Sequence, residues 1–132
     1  GKEYLHYNDE IGNTILNLPK GITSTRHMFD GCYLPDDFKF GDFDTSEVTD
    51  MSSMFENCSI PDEFTFGNGF DTRNVKDMSC MFNGCSMPED FVFNDKFVIN
   101  DDCIVENMFE DSNIDDLSPL EEPDLETDEE EI

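Results

Sequence analysis

The carboxylates are the residues best placed to do chemistry in this 132-residue chain, because their spacing is regular. Asp36-Asp37, Asp62-Glu63 and Glu89-Asp90 each follow a proline, namely Pro35, Pro61 and Pro88. Acid pairs can transfer protons, bind cations or recognise basic surfaces. Proton transfer needs two groups whose environments push their pKa values apart, and the local sequence marks no acid as different from its neighbour. The only histidines, His6 and His27, stand in no zincin, triad or Cys–His signature. Gly67-Asn68-Gly69 reads as a turn between phenylalanines and not as a phosphate loop. Catalysis is therefore not expected, and His27, just before Met28, reads as a partly exposed structural histidine.

Dedicated cation binding fares little better. Asp42-Phe43-Asp44-Thr45-Ser46 opens like a calcium loop, but the turn glycine is missing and Ser53 stands where the bidentate glutamate belongs. Cys80 and Cys85 lack a second pair at zinc-ligand spacing. No metal site and no cofactor is expected. Cys32, Cys58 and Cys85 share one repeat position, and with Cys80 and Cys103 they make an odd total of five. They read as reduced thiols, three of them a buried column, rather than a disulfide framework.

Recognition is left, and the net charge favours it. The chain carries 33 Asp and Glu against 7 Lys and Arg, a formal charge of −26. Such a field repels nucleic acid and anionic membrane and attracts basic protein surfaces. Solubility alone needs a magnitude of only about 2–8 on a small domain. No apolar run approaches the roughly 20 residues of a membrane span, and residues 1–30 lack the pattern of a signal peptide. A cytoplasmic location is expected.

The elements that position these acids follow from an internal repeat. Met28-Phe29-Asp30-Gly31-Cys32, Met54-Phe55-Glu56-Asn57-Cys58, Met81-Phe82-Asn83-Gly84-Cys85 and Met108-Phe109-Glu110-Asp111-Ser112 recur at intervals of 26, 27 and 27 residues. A fixed period of this size predicts stacked units sharing one elongated core. After each acid pair comes Phe-x-Phe (Phe38/Phe40, Phe64/Phe66, Phe91/Phe93), an alternation that predicts a short strand. Val48, Met51, Met54 and Phe55, repeated as Val75, Met78, Met81 and Phe82, have the spacing of one face of a short helix. Asp44 or Thr45, and Asp71 or Thr72, would cap it. The expected architecture is an α/β repeat solenoid with one short strand and one short helix per repeat. Residues 1–21 form an N-terminal cap, 22–114 a solenoid of about 3.5 repeats, and 115–132 a disordered acidic tail with two prolines and no base.

The stretches from Phe43 to Cys58 and from Phe70 to Cys85 resemble the BspA-like leucine-rich repeats, a bacterial surface-lipoprotein repeat of 25 residues. The resemblance covers about residues 22–112. It implies a right-handed strand–helix solenoid and a binding role, often adhesion at a bacterial surface. This chain departs from the family pattern in its Pro-acid-acid-Phe-x-Phe segment and its acidity.

Two functional expectations result. The first is a non-enzymatic DNA mimic of the anti-restriction or anti-CRISPR type carried by phages. Asp36, Asp37, Asp62, Glu63, Glu89 and Asp90 would replace phosphates in the basic groove of a nucleic-acid-handling host defence protein. Asp42, Asp44, Asp50, Asp71 and Asp77 would support them. The alternative, from the resemblance, is a cell-surface adhesion module whose export signal has been removed. Neither expectation specifies an oligomeric state.

Overall fold

The 26–27-residue period is a distance in space as well as in sequence. A computed structural model describes residues 6–8, 10, 14–89 and 91–113, and successive repeats lie against each other in parallel register. Strand β1 (Ile15–Leu16) pairs with β2 (Lys39–Phe40), Ile15 facing Lys39 and Leu16 facing Phe40. Parallel bridges join Ser24, Asp50, Asp77 and Ile104 in one line, and Tyr33, Ser59 and Ser86 in a second.

The expected α/β repeat solenoid is not what forms. The described residues contain no helix, and their only strands are the two-residue β1 and β2. None of them therefore lies in a helix able to cross a membrane.

The segments expected to be helical instead divide their backbone N–H groups between two kinds of partner. The N–H groups of Thr25, His27, Phe29 and Gly31 donate to the carbonyls of Asp50, Ser52, Met54 and Glu56 in the next coil, at 2.8–3.1 Å. Those of Met28, Asp30 and Cys32 donate three residues back, to Thr25, His27 and Phe29. The pattern repeats one coil on: Met51, Ser53, Phe55 and Asn57 bond across, while Met54, Glu56 and Cys58 bond back. Chained i→i+3 turns repeat their buried face every three residues or so, which is why Val48, Met51, Met54 and Phe55 resemble a helical stripe.

An α-helix is blocked by left-handed backbone at every fourth residue. The first set is His27, Ser53, Cys80 and Asn107, with φ between 57° and 60°. The second is Gly31, Asn57, Gly84 and Asp111, with φ between 57° and 72°. His27 and Gly31 each occupy the third place of a four-residue turn, where type II geometry requires positive φ. A non-glycine residue there costs about 1–2 kcal/mol, offset by the hydrogen bonds that each turn makes to the next coil.

The core is a set of aromatic columns. Phe29, Phe55, Phe82 and Phe109 stack with ring centroids 5.1, 5.3 and 5.3 Å apart and near-parallel planes. Phe43, Phe70 and Phe97 form a second column at 6.3 and 6.2 Å. Phe38, Phe64 and Phe91 form a third at 6.1 Å per step. Val48, Met51, Met54, Val75, Met78 and Met81 are fully buried between them. Each stacked pair adds about 0.5–1.5 kcal/mol beyond the area it buries.

The ring spacings also account for the missing strands at Phe64-Thr65-Phe66 and Phe91-Val92-Phe93. Paired strands lie about 4.7–4.9 Å apart. The column beside the turn ladder stays near that value, whereas the third column, made by the Phe-x-Phe segments, holds its coils farther apart. Within each segment the two rings meet edge to face, as Phe64 and Phe66 do at 5.4 Å and 82°. Ring packing takes the place of the backbone ladder.

The expected acidic tail over 115–132 lies outside the described residues, as do residues 1–5 of the expected cap. Tyr7 is described: it is buried against Phe29 and Phe38, and its N–H donates to the Met28 carbonyl at 2.8 Å.

Candidate partner-binding surface

Asp36-Asp37 and Asp62-Glu63 each occupy the two central positions of a tight turn, and Glu89 opens the same kind of turn in the third coil. The N–H groups of Phe38, Phe64 and Phe91 return to the carbonyls of Pro35, Pro61 and Pro88 at 3.0, 3.2 and 3.2 Å. The proline that opens each turn has no N–H to donate to a ladder, and the phenylalanine anchors the exit in the core. Asp36, Asp37, Asp62, Glu63 and Glu89 are exposed, while Asp90 lies outside the described residues. Asp36 lines a shallow open depression with Pro61, Asp62 and Glu63 of the next coil, so two rungs face one space.

Of the supporting acids Asp42 and Asp44 are exposed, Asp50 and Asp77 half-buried and Asp71 buried. Asp42 is exposed, and its N–H donates to Asn17 Oδ1 at 2.7 Å. The other four serve turns. Asp44 Oδ1 accepts the Ser46 N–H at 2.9 Å, and this bond, with that of the Ser46 hydroxyl, holds the carboxyl below its ordinary range. Asp50 Oδ1 accepts both the N–H and the hydroxyl of Ser52, and Asp77 Oδ1 accepts both from Ser79, at 2.9 and 2.7 Å in each case.

Asp71 is buried. Its carboxylate takes a two-pronged contact from Arg73, Nε at 3.0 Å and an amino group at 2.7 Å. The Arg73 side chain is the main reason that the Asp71 carboxyl sits below its ordinary range, against an opposing effect of burial. Asp71 is a structural anion whose carboxylate is taken up by Arg73.

The expected caps at Thr45 and Thr72 have no helix to cap. Both side chains are fully buried, and their hydroxyls bond across to the next coil. Thr45 Oγ1 donates to the Asp71 carbonyl, and Thr72 Oγ1 donates to the Val98 carbonyl at 2.6 Å while accepting the Val98 N–H at 2.7 Å.

The structure also gathers a group that the sequence reading passed over. His27 Nδ1 lies 2.8 Å from Asp30 Oδ2, and Glu56 of the next coil brings a carboxylate oxygen within 4.8 Å of both residues. His6 Nε2 reaches the Asp30 carbonyl at 2.9 Å. The period carried the signal: Asp30 and Glu56 both stand two residues after the motif methionine, and stacked coils bring equal positions together.

The five thiols form no disulfide. Cys32, Cys58, Cys85 and Cys103 are buried, and burial pushes the Cys85 thiol up to about 12. Cys80 is half-buried. Its thiol is raised first by desolvation and then by the carboxylates of Glu56, Glu106, Glu110 and Asp77.

Residues 9–118 match the profile of a family described as Mycoplasma protein of unknown function, DUF285, and the chain belongs to that family. No curated protein and no solved structure matches it.

Proposed function

We propose that this DUF285 chain is a non-enzymatic acidic binding protein whose exposed rungs occupy the basic groove of a nucleic-acid-handling protein. It would act as a DNA mimic, in the manner of anti-restriction or anti-CRISPR inhibitors of host defence, and would meet its partner in the cytoplasm of the host cell. The observation that carries this reading is the repetition of exposed acids at the centre of the same turn in successive coils, Asp36 and Asp37, then Asp62 and Glu63, then Glu89.

Coil spacings of about 5–6 Å with two charges per rung make roughly one charge per 2.5–3 Å. Duplex DNA carries about one per 1.7 Å of its axis, so the densities agree within a factor of about two. A formal charge of −26 adds a long-range field that speeds encounter with a cationic surface. Asp36, Asp37, Asp62, Glu63, Glu89 and Asp90 are the primary contacts and Asp42 a flanking one. Asp44, Asp50 and Asp77 contribute field more than contact, and Asp71 is reserved for Arg73.

The test is capture of binding proteins from bacterial lysate at low and high salt, followed by competition of each captured protein with duplex DNA. A variant with the six rung acids changed to Asn or Gln is run alongside. The reading expects salt-sensitive capture, displacement by DNA, and loss of both in the variant. Capture that ignores salt and survives the six changes would overturn it and favour adhesion through the apolar side chains.

A further inference from the structure

We propose that His27, Asp30 and Glu56 form a binding site for a divalent transition-metal ion, zinc being the best match, which ties the first coil to the second. The three residues offer one imidazole nitrogen and two carboxylate oxygens, all within 4.8 Å of one another. Zinc takes nitrogen and oxygen donors at about 2.0–2.2 Å, which places the corners of a tetrahedral site about 3.3–3.6 Å apart. The separation of 2.8 Å between His27 Nδ1 and Asp30 Oδ2 is just inside that value, and the 4.8 Å limit is just outside it. Rotation of the side chains is what would bring the donors onto one centre.

The backbone beneath them is held by the turn ladder. The His27 N–H donates to the Ser52 carbonyl at 3.1 Å and the Asp30 N–H to the His27 carbonyl at 3.2 Å. The Gly31 N–H donates to the Glu56 carbonyl at 2.8 Å, which fixes the two coils at the level of the site. Two carboxylates and a neutral imidazole match a doubly charged ion. The His27 and Asp30 side chains are 32% and 34% exposed, so the fourth position is open to water. On binding, His27 donates the Nδ1 lone pair to the metal and the neutral ring carries its proton on Nε2.

The repeat supplies an internal comparison. Ser53, Cys80 and Asn107 stand where His27 stands, and Asn83 and Glu110 continue the column of Asp30 and Glu56. Only the first pair of coils combines an imidazole with two carboxylates. This separates the group from the general acidity of the surface, and it also supplies mild substitutions. His27→Asn introduces the residue that Asn107 provides at an equivalent left-handed position, and Glu56→Gln resembles Asn83.

The experiment is calorimetric titration of the chelator-stripped full chain with zinc alone. High sodium chloride and excess magnesium saturate diffuse cation association. The expected result is one saturable equivalent of zinc, at least a tenfold loss of affinity in His27→Asn and in Glu56→Gln, and no change in the rung variant Asp62→Asn/Glu63→Gln. A raised thermal midpoint with zinc, lost in the same two variants, provides a second readout. Unsaturable uptake, affinity unchanged in His27→Asn and Glu56→Gln, or an equal loss in the rung variant would each overturn the site.

Discussion

Thr45 and Asp71 are joined by two hydrogen bonds that run in opposite senses through one oxygen. The Thr45 hydroxyl donates to the Asp71 carbonyl at 2.8 Å and accepts the Asp71 N–H at 2.7 Å. A buried side chain thus extends the pairing between coils beyond the backbone bond from the Thr45 N–H to the Gly69 carbonyl at 3.0 Å. Thr45→Val keeps the shape but leaves two buried backbone groups unpaired, each worth about 1–3 kcal/mol. Thr45→Ser keeps the hydroxyl and is expected to cost less. Urea denaturation of the two variants should show that order, and the same order at Thr72. Equal losses in Ser and Val would mean that the methyl, and not the hydroxyl, is what matters.

The Asp71–Arg73 contact makes a prediction about acid. The folded carboxyl titrates below its ordinary value. Its contribution to stability is therefore complete above an unfolded pKa of about 3.9 and is lost as the pH falls through the lower folded value. Arg73→Ala is expected to destabilise the chain at pH 7. The gap from the parent chain should narrow toward pH 3. A gap that is constant with pH would remove Asp71 as its cause.

Gly69 is the residue that lengthens the second period from 26 to 27. A β-carbon there would collide with the Phe43 carbonyl oxygen and come within 3.4 Å of the Asp44 α-carbon. Those are backbone atoms and cannot swing aside. Gly69→Ala is expected to destabilise by about 1–3 kcal/mol, as overpacking does. Gly67→Ala meets no atom within 4 Å and bears only the strain of its φ of +77°. Thermal midpoints should place Gly69→Ala below Gly67→Ala.

Thiol reactivity should be uneven. Cys80 is half-buried and the other four cysteines are buried, so in the native state Cys80 is expected to react first with a maleimide or disulfide reagent. The carboxylates around it disfavour the thiolate, which makes that reaction slower than for an ordinary exposed cysteine at pH 7.5. Salt should speed it by screening those charges. Mass spectrometry of partial labelling reads both effects, and fast, salt-independent labelling of Cys80 would contradict them.

Burial was largely legible in the sequence, whereas backbone conformation was not. Val48, Met51, Met54 and Phe55 are apolar at regular places, and all four are buried. Their spacing fits a helix and a chain of three-residue turns equally well. The difference lies in where the N–H groups of Met51, Ser53 and Phe55 go, which no single coil's sequence states. Gly31, Asn57, Gly84 and Asp111 are residue types that favour left-handed turns. His27, Ser53 and Cys80 are in the same conformation with less inclination toward it, so that column was hidden. Thr45 read as a cap because a threonine before a buried stripe usually is one. Its true partner is 26 residues away.

The turn ladder has one further consequence. Across each of its three interfaces the N–H groups of the earlier coil point toward the later one: Thr25, His27, Phe29 and Gly31, then Met51, Ser53, Phe55 and Asn57, then Met78, Cys80, Phe82 and Gly84. Peptide dipoles aligned in this way add, as they do along a helix axis. The reverse bonds from Thr49, Lys76 and Ile104 to the earlier coil offset part of this sum, and the remainder gives the turn segment a polarity, negative toward the coil of His27 and Asp30 and positive toward the coil that ends the described chain. A cation is favoured at the first pole, and the acids clustered near the second are eased by it.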